Sequence, residues 1–436
     1  MATTRVLTGI TTSGTLHQGN YVGAIRPALA ASRAPGVESF YFLADYHALI
    51  KVQDPARVQR STLEIAAAWL ACGLDPEQVR FYRQSDIPET TELTWLLACV
   101  AGKGLLNRAH AYKAANDRNR ESGEDEDAGV TAGLYMYPVL MAADILLFNA
   151  HKVPVGRDQV QHIEMARDFA QRFNHLYGDA YFTLPEAAIE EQVATLPGLD
   201  GRKMSKSYDN VIPLFAPREQ LRRQILSILT DSRAPGEPKE TQGSALFEIY
   251  RAFASREETA AMRQAYADGI GWGDAKQKLF ERVDAEIAPM RGRYEALMAH
   301  PERIEALLRD GAARLRESHA IPTMRRLRDA VGLRDLGAGA GASVNAAANP
   351  SKATLPAFKQ YREADGRFHF KLVDGERVLL LSRGFESPKD AGARIAALRR
   401  DGFAGADADM SMGEGMEAAD VHAALEALRA AEEAKA

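Results

Sequence analysis

Short apolar runs alternate with longer stretches of helical spacing over roughly the first 185 residues, and this alternation constrains the fold most. VLTG (Val6–Gly9), SFYFLAD (Ser39–Asp45), VRFYRQ (Val79–Gln84) and KVPVG (Lys152–Gly156) read as buried strands. Between them Pro55–Ala71, Thr90–Ala101, Pro138–Asn149 and Gln159–Asn174 place apolar residues on one helical face. Parallel strands need long crossovers, so this pattern predicts an α/β region with a parallel sheet covered on both faces. Ligands in such sheets sit at the carboxyl ends of the strands. The segment ESGEDEDA, Glu121–Ala128, reads as a solvated acidic loop.

From Pro213 to about Gly332 the pattern changes to helix upon helix, ending in MRRLRDAVGLR. Small residues then dominate LGAGAGASVNAAANPSKA, which lacks the apolar content to bury a core and reads as a linker. Beyond Thr354, FHFKLVDGERVLLLS alternates around Asp374-Gly375, a hairpin signal. SPKDAGARIAALRR follows, with Ser387 placed to cap and Pro388 at the first helical position. That predicts a small ββα appendix, with VHAALEALRAAEEA adding a helix. The expected division is 1–212, an α/β domain; 213–335, a helical domain whose last helix packs back on the first; 336–353, a linker; and 354–436, an accessory α+β domain.

At 436 residues the chain has room for two or three domains. A net charge of −5 advertises no overall basic field, although a local basic face remains compatible with it. Cys72 and Cys99 are the only cysteines and lie in apolar runs, so they offer neither a disulfide framework nor metal-ligand spacing. The start MATTRVLTGI is too short and polar for a signal peptide, and no apolar run reaches the roughly 18 residues of a membrane helix. The expectation is a cytoplasmic protein with no membrane partner.

Two short stretches carry the chemistry. In TGITTSGTLHQGNYVGAI, Thr8–Ile25, a strand ends at Gly9, a small-residue loop follows and a helix starts near Asn20. Such a start offers backbone N–H groups and a positive dipole end to an anion. His17 and Asn20 add donors, and Gly19 admits a close approach. The second stretch is LDGRKMSKSYDN, Leu199–Asn210, cationic and without apolar periodicity. Lys203 and Lys206, with small hydroxyl residues between them, suit a pyrophosphate on which charge builds.

These residues resemble the class I aminoacyl-tRNA synthetases, and among them the bacterial tryptophanyl family. The first signature stands as His17-Gln18-Gly19-Asn20 and the second as Lys203-Met204-Ser205-Lys206-Ser207. More specific are YPVLMAADIL, Tyr137–Leu146, and VPVGRDQVQH, Val153–His162, with Arg172-Phe173-Asn174 beyond; the likeness spans about residues 5–334. It implies a Rossmann-type catalytic domain, a helical domain that reads the anticodon, and a homodimer. The implied reaction joins L-tryptophan to tRNA(Trp), with ATP as substrate and Mg²⁺ as its ion, and without zinc or an iron–sulfur cluster.

The same likeness implies the roles. His17, Gly19 and Asn20 hold the adenosine and α-phosphate, and Lys203 and Lys206 the leaving pyrophosphate, aided by Met204 and Ser205. Thr11, Thr12, Ser13, Gly156 and Asp158 complete the ATP site, with Asp158 at the ribose. Tyr137 and Gln159 take the amino group of the amino acid, and Asp144 the indole N–H. Met141, Val153, Val155 and Gly9 wall the pocket. Independently of the likeness, Asp144 lies in the apolar run VLMAADILLF, where an ionised carboxylate needs a donor.

The sequence departs from the family at Thr11-Thr12, where Gln-Pro is usual, at Arg157, where an acidic residue is common, and at Ala115, where a second basic residue near Lys113 is expected. Pro27 should kink the helix after the first signature. Tyrosine is the alternative substrate on the same fold, against which Met141 and the valines speak, since a phenol needs polar partners. A small nucleotidyltransferase shares an HxGH-like signature but lacks the helical domain. An inactive paralogue would not need His17, Asn20, Lys203 and Lys206.

Overall fold

The computed structural model describes residues 3–12, 14–189, 195–333, 355–363, 366–375, 377–403, 409–413 and 415–433. The linker expected at 336–353 lies outside them, as does Ser13. The chain forms two units, Met1–Arg334 and Asp335–Ala436.

In the first unit five strands, β1 (Thr4–Thr11), β2 (Val37–Ala44), β3 (Val79–Arg83), β4 (Lys152–Val155) and β5 (Glu186–Ile189), form a parallel sheet in the order β3-β2-β1-β4-β5. The order reverses between β1 and β4, the switch point at which a Rossmann-type sheet opens a crevice. Side chains alternate across the sheet. Phe40 and Phe42 enter one buried cluster, Tyr41 and Leu43 the other, which explains the continuous apolar run of β2. β5 was not expected: EAAI is four residues long and only partly buried, too short for a periodic signal.

The helices that follow the signatures are α1 (Arg26–Ser32), α2 (Pro55–Ala71), α3 (Glu89–Ala98), α4 (His110–Glu121), α5 (Ala132–Leu147) and α6 (Val160–Tyr177). α5 starts earlier than the expected Pro138, because Thr131 caps it by accepting from Leu134 N–H at 3.2 Å and Pro138 lies inside the helix. Pro27 is accommodated differently from a simple kink. Tyr21–Ile25 form a π-type turn directly before α1, so the proline sits in the first turn of a new α segment.

Helices α7 (Arg218–Leu226), α8 (Ala245–Phe253), α9 (Arg256–Ala267) and α10 (Trp272–Met298) make the helical layer. The chain then returns to the sheet. α11 (Pro301–Leu315) crosses the free edge at β3 so closely that a Cβ on Gly311 would lie 2.2 Å from the Phe81 carbonyl oxygen. Ile304 and Leu308 join the cluster on one face and Ala312 and Leu315 that on the other. After a π-type turn, α12 (Ile321–Val331) ends at Gly332, which takes the left-handed conformation at φ 82°.

The second unit is richer in strand than a ββα motif. Strands β6 (Ala357–Arg362), β7 (Phe368–Asp374), β8 (Arg377–Ser382) and β9 (Met410–Met412) form an antiparallel sheet in sequential order. Ser387 caps α13 (Pro388–Asp401) by accepting from Asp390 N–H at 3.2 Å, and α14 (Ala418–Glu433) follows. Among the described residues no helix is long and apolar enough to cross a membrane.

Candidate active site

At the switch point lies a cavity of about 720 Å³, walled by the carboxyl ends of β1 and β4 and by α4 and α5. Of the residues singled out in the sequence it gathers Gly9, Thr11, Tyr137, Met141, Asp144, Val153, Val155, Gly156 and Gln159. Gly9 keeps the floor flat, since a Cβ there would lie 3.0 Å from the Phe42 ring.

Asp144 is 2% exposed on the inner face of α5. Burial pushes its carboxyl above the ordinary carboxylate range, and the hydrogen bond and charge of His47, with the Gln84 amide, pull the other way. His47 Nε2 lies 3.0 Å from Oδ2, and Gln84 Nε2 donates to both carboxylate oxygens at 2.9 Å. Gln84 is itself held: its Oε1 accepts from Tyr46 N–H at 3.1 Å. A charge-assisted set of this kind favours the ionised form against the burial that opposes it, and fixes the orientation of the carboxyl in an apolar wall.

A second network lines the same cavity. The Tyr137 hydroxyl hydrogen-bonds His162 Nε2, and His162 Nδ1 is 2.9 Å from Gln159 Oε1. An amide oxygen only accepts, so His162 donates from Nδ1 to Gln159 while its Nε2 meets the Tyr137 hydroxyl. His162, 2% exposed, thus positions both side chains.

The two signatures meet at the other end of the crevice. His17 pairs with Pro213 as an isolated bridge, and Gln18 N–H donates to the Ile212 carbonyl at 2.9 Å. Met204, 3% exposed, anchors the lysine loop in the core, its sulfur 3.6 Å from where a Cβ on Gly19 would stand. The Lys206 ammonium comes to 2.8 Å from where a Cβ on Gly14 would stand, at φ +75°. Burial, then Arg57, holds Lys206 below the ordinary lysine range. Burial and Lys206 lower His17 to about 4, so its imidazole is neutral at physiological pH. Nδ1 of His17 is buried with no protein hydrogen-bond partner, while Asn20 Oδ1 accepts from the His17 N–H at 3.0 Å. Asn210, 3% exposed, organises the loop: its Oδ1 accepts from Ser205 N–H at 2.8 Å and its Nδ2 donates to Asp200 at 2.6 Å.

The structure therefore gathers His17, Gly19, Asn20, Met204 and Lys206 around the first helix start, while Ser205 and Lys203 lie on the same loop. Thr12 is buried at 1% exposure, away from the cavity wall. Asp158 falls in the short 3₁₀ turn Arg157–Gln159 after β4. Lys113 lies on α4, outside the cavity lining. Sequence reading missed the parts played by His47, Gln84, His162 and Asn210.

This arrangement, a parallel sheet with two signature loops joined over its switch point, defines a class I tRNA synthetase. The model of class I tRNA synthetases (W and Y) matches residues 1–287. A tryptophan–tRNA ligase of Xanthomonas campestris is 74% identical over 395 residues, 90% of this chain and 91% of that protein. One of Pseudomonas aeruginosa is 63% identical over 395 residues, 90% and 87%. The crystal structure of tryptophanyl-tRNA synthetase from Campylobacter jejuni with ADP and tryptophan aligns with a TM-score of 0.68 at 41% identity, covering 75% of this chain and 99% of that one. The chain belongs to the class I tRNA synthetase family for tryptophan and tyrosine. Within that family it is a bacterial tryptophanyl-tRNA synthetase.

Proposed function

We infer that the chain activates L-tryptophan with ATP and then charges tRNA(Trp). The observation that carries the reading is the buried Asp144, hydrogen-bonded by His47 and Gln84 in the wall of an apolar cavity. An indole N–H donates to such a carboxylate, and the apolar walls Met141, Val153 and Val155 suit its bicyclic ring. In the first step a tryptophan carboxylate oxygen attacks the α-phosphorus of ATP, the bond to the bridging oxygen breaks, and pyrophosphate leaves. In the second, a ribose hydroxyl of the terminal adenosine attacks the activated carbonyl and AMP departs.

The residue roles follow from this reading. Neutral His17 offers an N–H to the α-phosphate without adding charge, beside Asn20 and over the open approach at Gly19. Lys206 and Lys203 hold the leaving pyrophosphate, where their charge counts most in the transition state. Tyr137 and Gln159, set by His162, orient the amino group. Thr11, Ser13, Gly156 and Asp158 serve the ribose and phosphates of ATP. Among the described residues no cluster of three metal-ligating side chains occurs. An Mg²⁺ carried in on the ATP phosphates would offset charge on the leaving pyrophosphate beside Lys203 and Lys206. The helical layer, which presents Arg222 and Arg223 to solvent on α7, reads the anticodon. Trp95 on α3, 71% exposed, supports a homodimer, since so large an apolar surface seldom faces water.

Pyrophosphate exchange with each of the twenty amino acids tests the reading: exchange with tryptophan alone is expected, and exchange with tyrosine in preference would overturn it.

A further inference from the structure

The second unit has a one-sided core. Phe358, Phe370, Leu372 and Leu380 face α13 and α14 and bury with Ala391, Leu398, Val421 and Leu425. Alternation along the strands sends their neighbours to the other face. There, in register, Lys359 stands opposite Lys371 and Tyr361 opposite His369. The Tyr361 and His369 rings stack at 5.7 Å with 23° between planes, and the Lys371 ammonium sits 5.8 Å over the tyrosine. His369 also lies 3.7 Å from the Glu363 carboxylate, the one acidic side chain in contact with the group among the described residues. Neither Lys359 nor Lys371 has a carboxylate partner among the described residues.

Two like charges directly opposite on a sheet destabilise it, and no carboxylate among the described residues neutralises them. An anion lying between them removes the cost. Beside them the partly exposed Tyr361 ring, backed by His369 whose side chain is 12% exposed, offers a surface on which a planar base stacks, so the face combines the two elements of a single-strand nucleic-acid platform. The share of this chain without counterpart in the Campylobacter structure, a quarter, is about the size of this unit.

We propose that the open face of the C-terminal sheet, centred on Tyr361 and His369 and flanked by Lys359 and Lys371, binds an unpaired stretch of the tRNA substrate. The identity of that nucleic acid rests on the function proposed above; the face itself stands on the register and ring geometry. It recognises backbone phosphate and one or two stacked bases, with little dependence on sequence.

The test uses the full chain and measures KM for tRNA in charging, with tryptophan-dependent pyrophosphate exchange as the internal reference. The Lys359→Gln/Lys371→Gln double variant removes charge without introducing repulsion. It should raise KM for tRNA about tenfold and flatten its dependence on log salt by about one unit, with exchange unchanged. Tyr361→Ala should raise KM several-fold, and Tyr361→Phe, which keeps the ring, should restore it. Lys389→Gln, on α13 and away from the face, should leave KM at the wild-type value. Charging within twofold of wild type in both the lysine and Tyr361→Ala variants, with melting curves unchanged, overturns the proposal alone. An equal loss in Lys389→Gln also overturns it, because the effect would then be one of overall charge. Failure of the wild-type chain to exchange with tryptophan overturns the underlying reading instead.

Discussion

Gln84 donates from a single nitrogen to both oxygens of Asp144, at 2.9 Å each, while its own oxygen is fixed by the Tyr46 backbone. The amide acts as a bracket between a strand end and a helix 60 residues further on. Gln84→Leu removes the bracket and leaves the carboxylate with His47 as its donor. kcat/KM for tryptophan should fall by about 10- to 100-fold, through KM more than kcat, with the melting temperature lowered by a few degrees. Steady-state exchange kinetics check this, and an unchanged KM would show that Asp144 needs no second donor.

Asp144→Asn keeps the shape but not the charge. Tryptophan KM should rise steeply and discrimination against phenylalanine and tyrosine narrow, since a site built on a buried hydrogen bond rejects analogues lacking it by roughly 10⁴-fold. Comparing kcat/KM for the three amino acids decides it. Equal ratios in wild type and variant would move the indole contact to another residue.

Burial raises the Asp144 pKa, so the carboxylate takes up a proton at a higher pH than an ordinary aspartate. Its ionised form, the one suited to the indole N–H, is lost as pH falls through that raised value. Tryptophan KM should therefore climb on acidification at a higher pH than an ordinary aspartate would give, and the climb should vanish in Asp144→Asn. His17 behaves oppositely. Its folded pKa, about 4, lies below the ordinary histidine value of 6.5, so between these limits the unfolded chain takes up a proton the folded one does not. That stability term is full above pH 6.5 and is lost as pH falls toward 4. His17→Gln should flatten acid unfolding in this window, as read by melting temperature against pH.

Removing Lys206 should lower kcat for exchange by about 10²-fold with tryptophan affinity preserved. Gly14→Ala should mimic it in part, because the new methyl would occupy the position beside the ammonium and strain a backbone at φ +75°. A Lys206→Ala enzyme with a normal adenylation rate would remove that lysine from the first step.

Gln18 is fully buried between the two signatures, and neither end of its amide finds a protein partner. Its backbone N–H, not its side chain, makes the join to Ile212. Gln18→Leu should thus raise stability by about 1–2 kcal/mol in urea unfolding, since an unmet amide costs more than an apolar group of similar shape. A lower midpoint would mean that ordered water satisfies the amide.

A chain ending near Asp335 should still catalyse tryptophan-dependent exchange, because the first unit closes at Arg334 and holds both signature loops and the cavity. A folded truncation that forms no adenylate would contradict this. Impaired charging alone fits the tRNA-binding face argued for β6 and β7.

What sequence disclosed here follows the range of the signal. Contiguous patterns were readable: the apolar runs of β1 to β4, the His17–Asn20 and Lys203–Ser207 signatures, and the Ser387 cap. Asp144 was legible because a carboxylate in VLMAADILLF breaks the chemistry of its own surroundings. His47 and Gln84 gave no such sign, as each is an ordinary polar residue until the fold brings it to a helix far along the chain. β5 and the start of α5 failed for local reasons. EAAI is too short to show a period, and Pro138 imitates a helix beginning although Thr131 provides the actual one. β6 and β9 have mixed faces, and only pairing with β7 and β8 reveals them as strands.

The crossing of α11 over Phe81 has a consequence for synthesis on the ribosome. β3 ends one side of the sheet, and its outer edge is closed by a glycine made long after the strand itself. Until Gly311 leaves the exit tunnel, the nascent chain carries an open strand edge beside half-covered apolar faces. The newborn protein is thus exposed to mispairing for most of its translation, and the helix that ends the hazard can seat only after the helical layer before it has emerged.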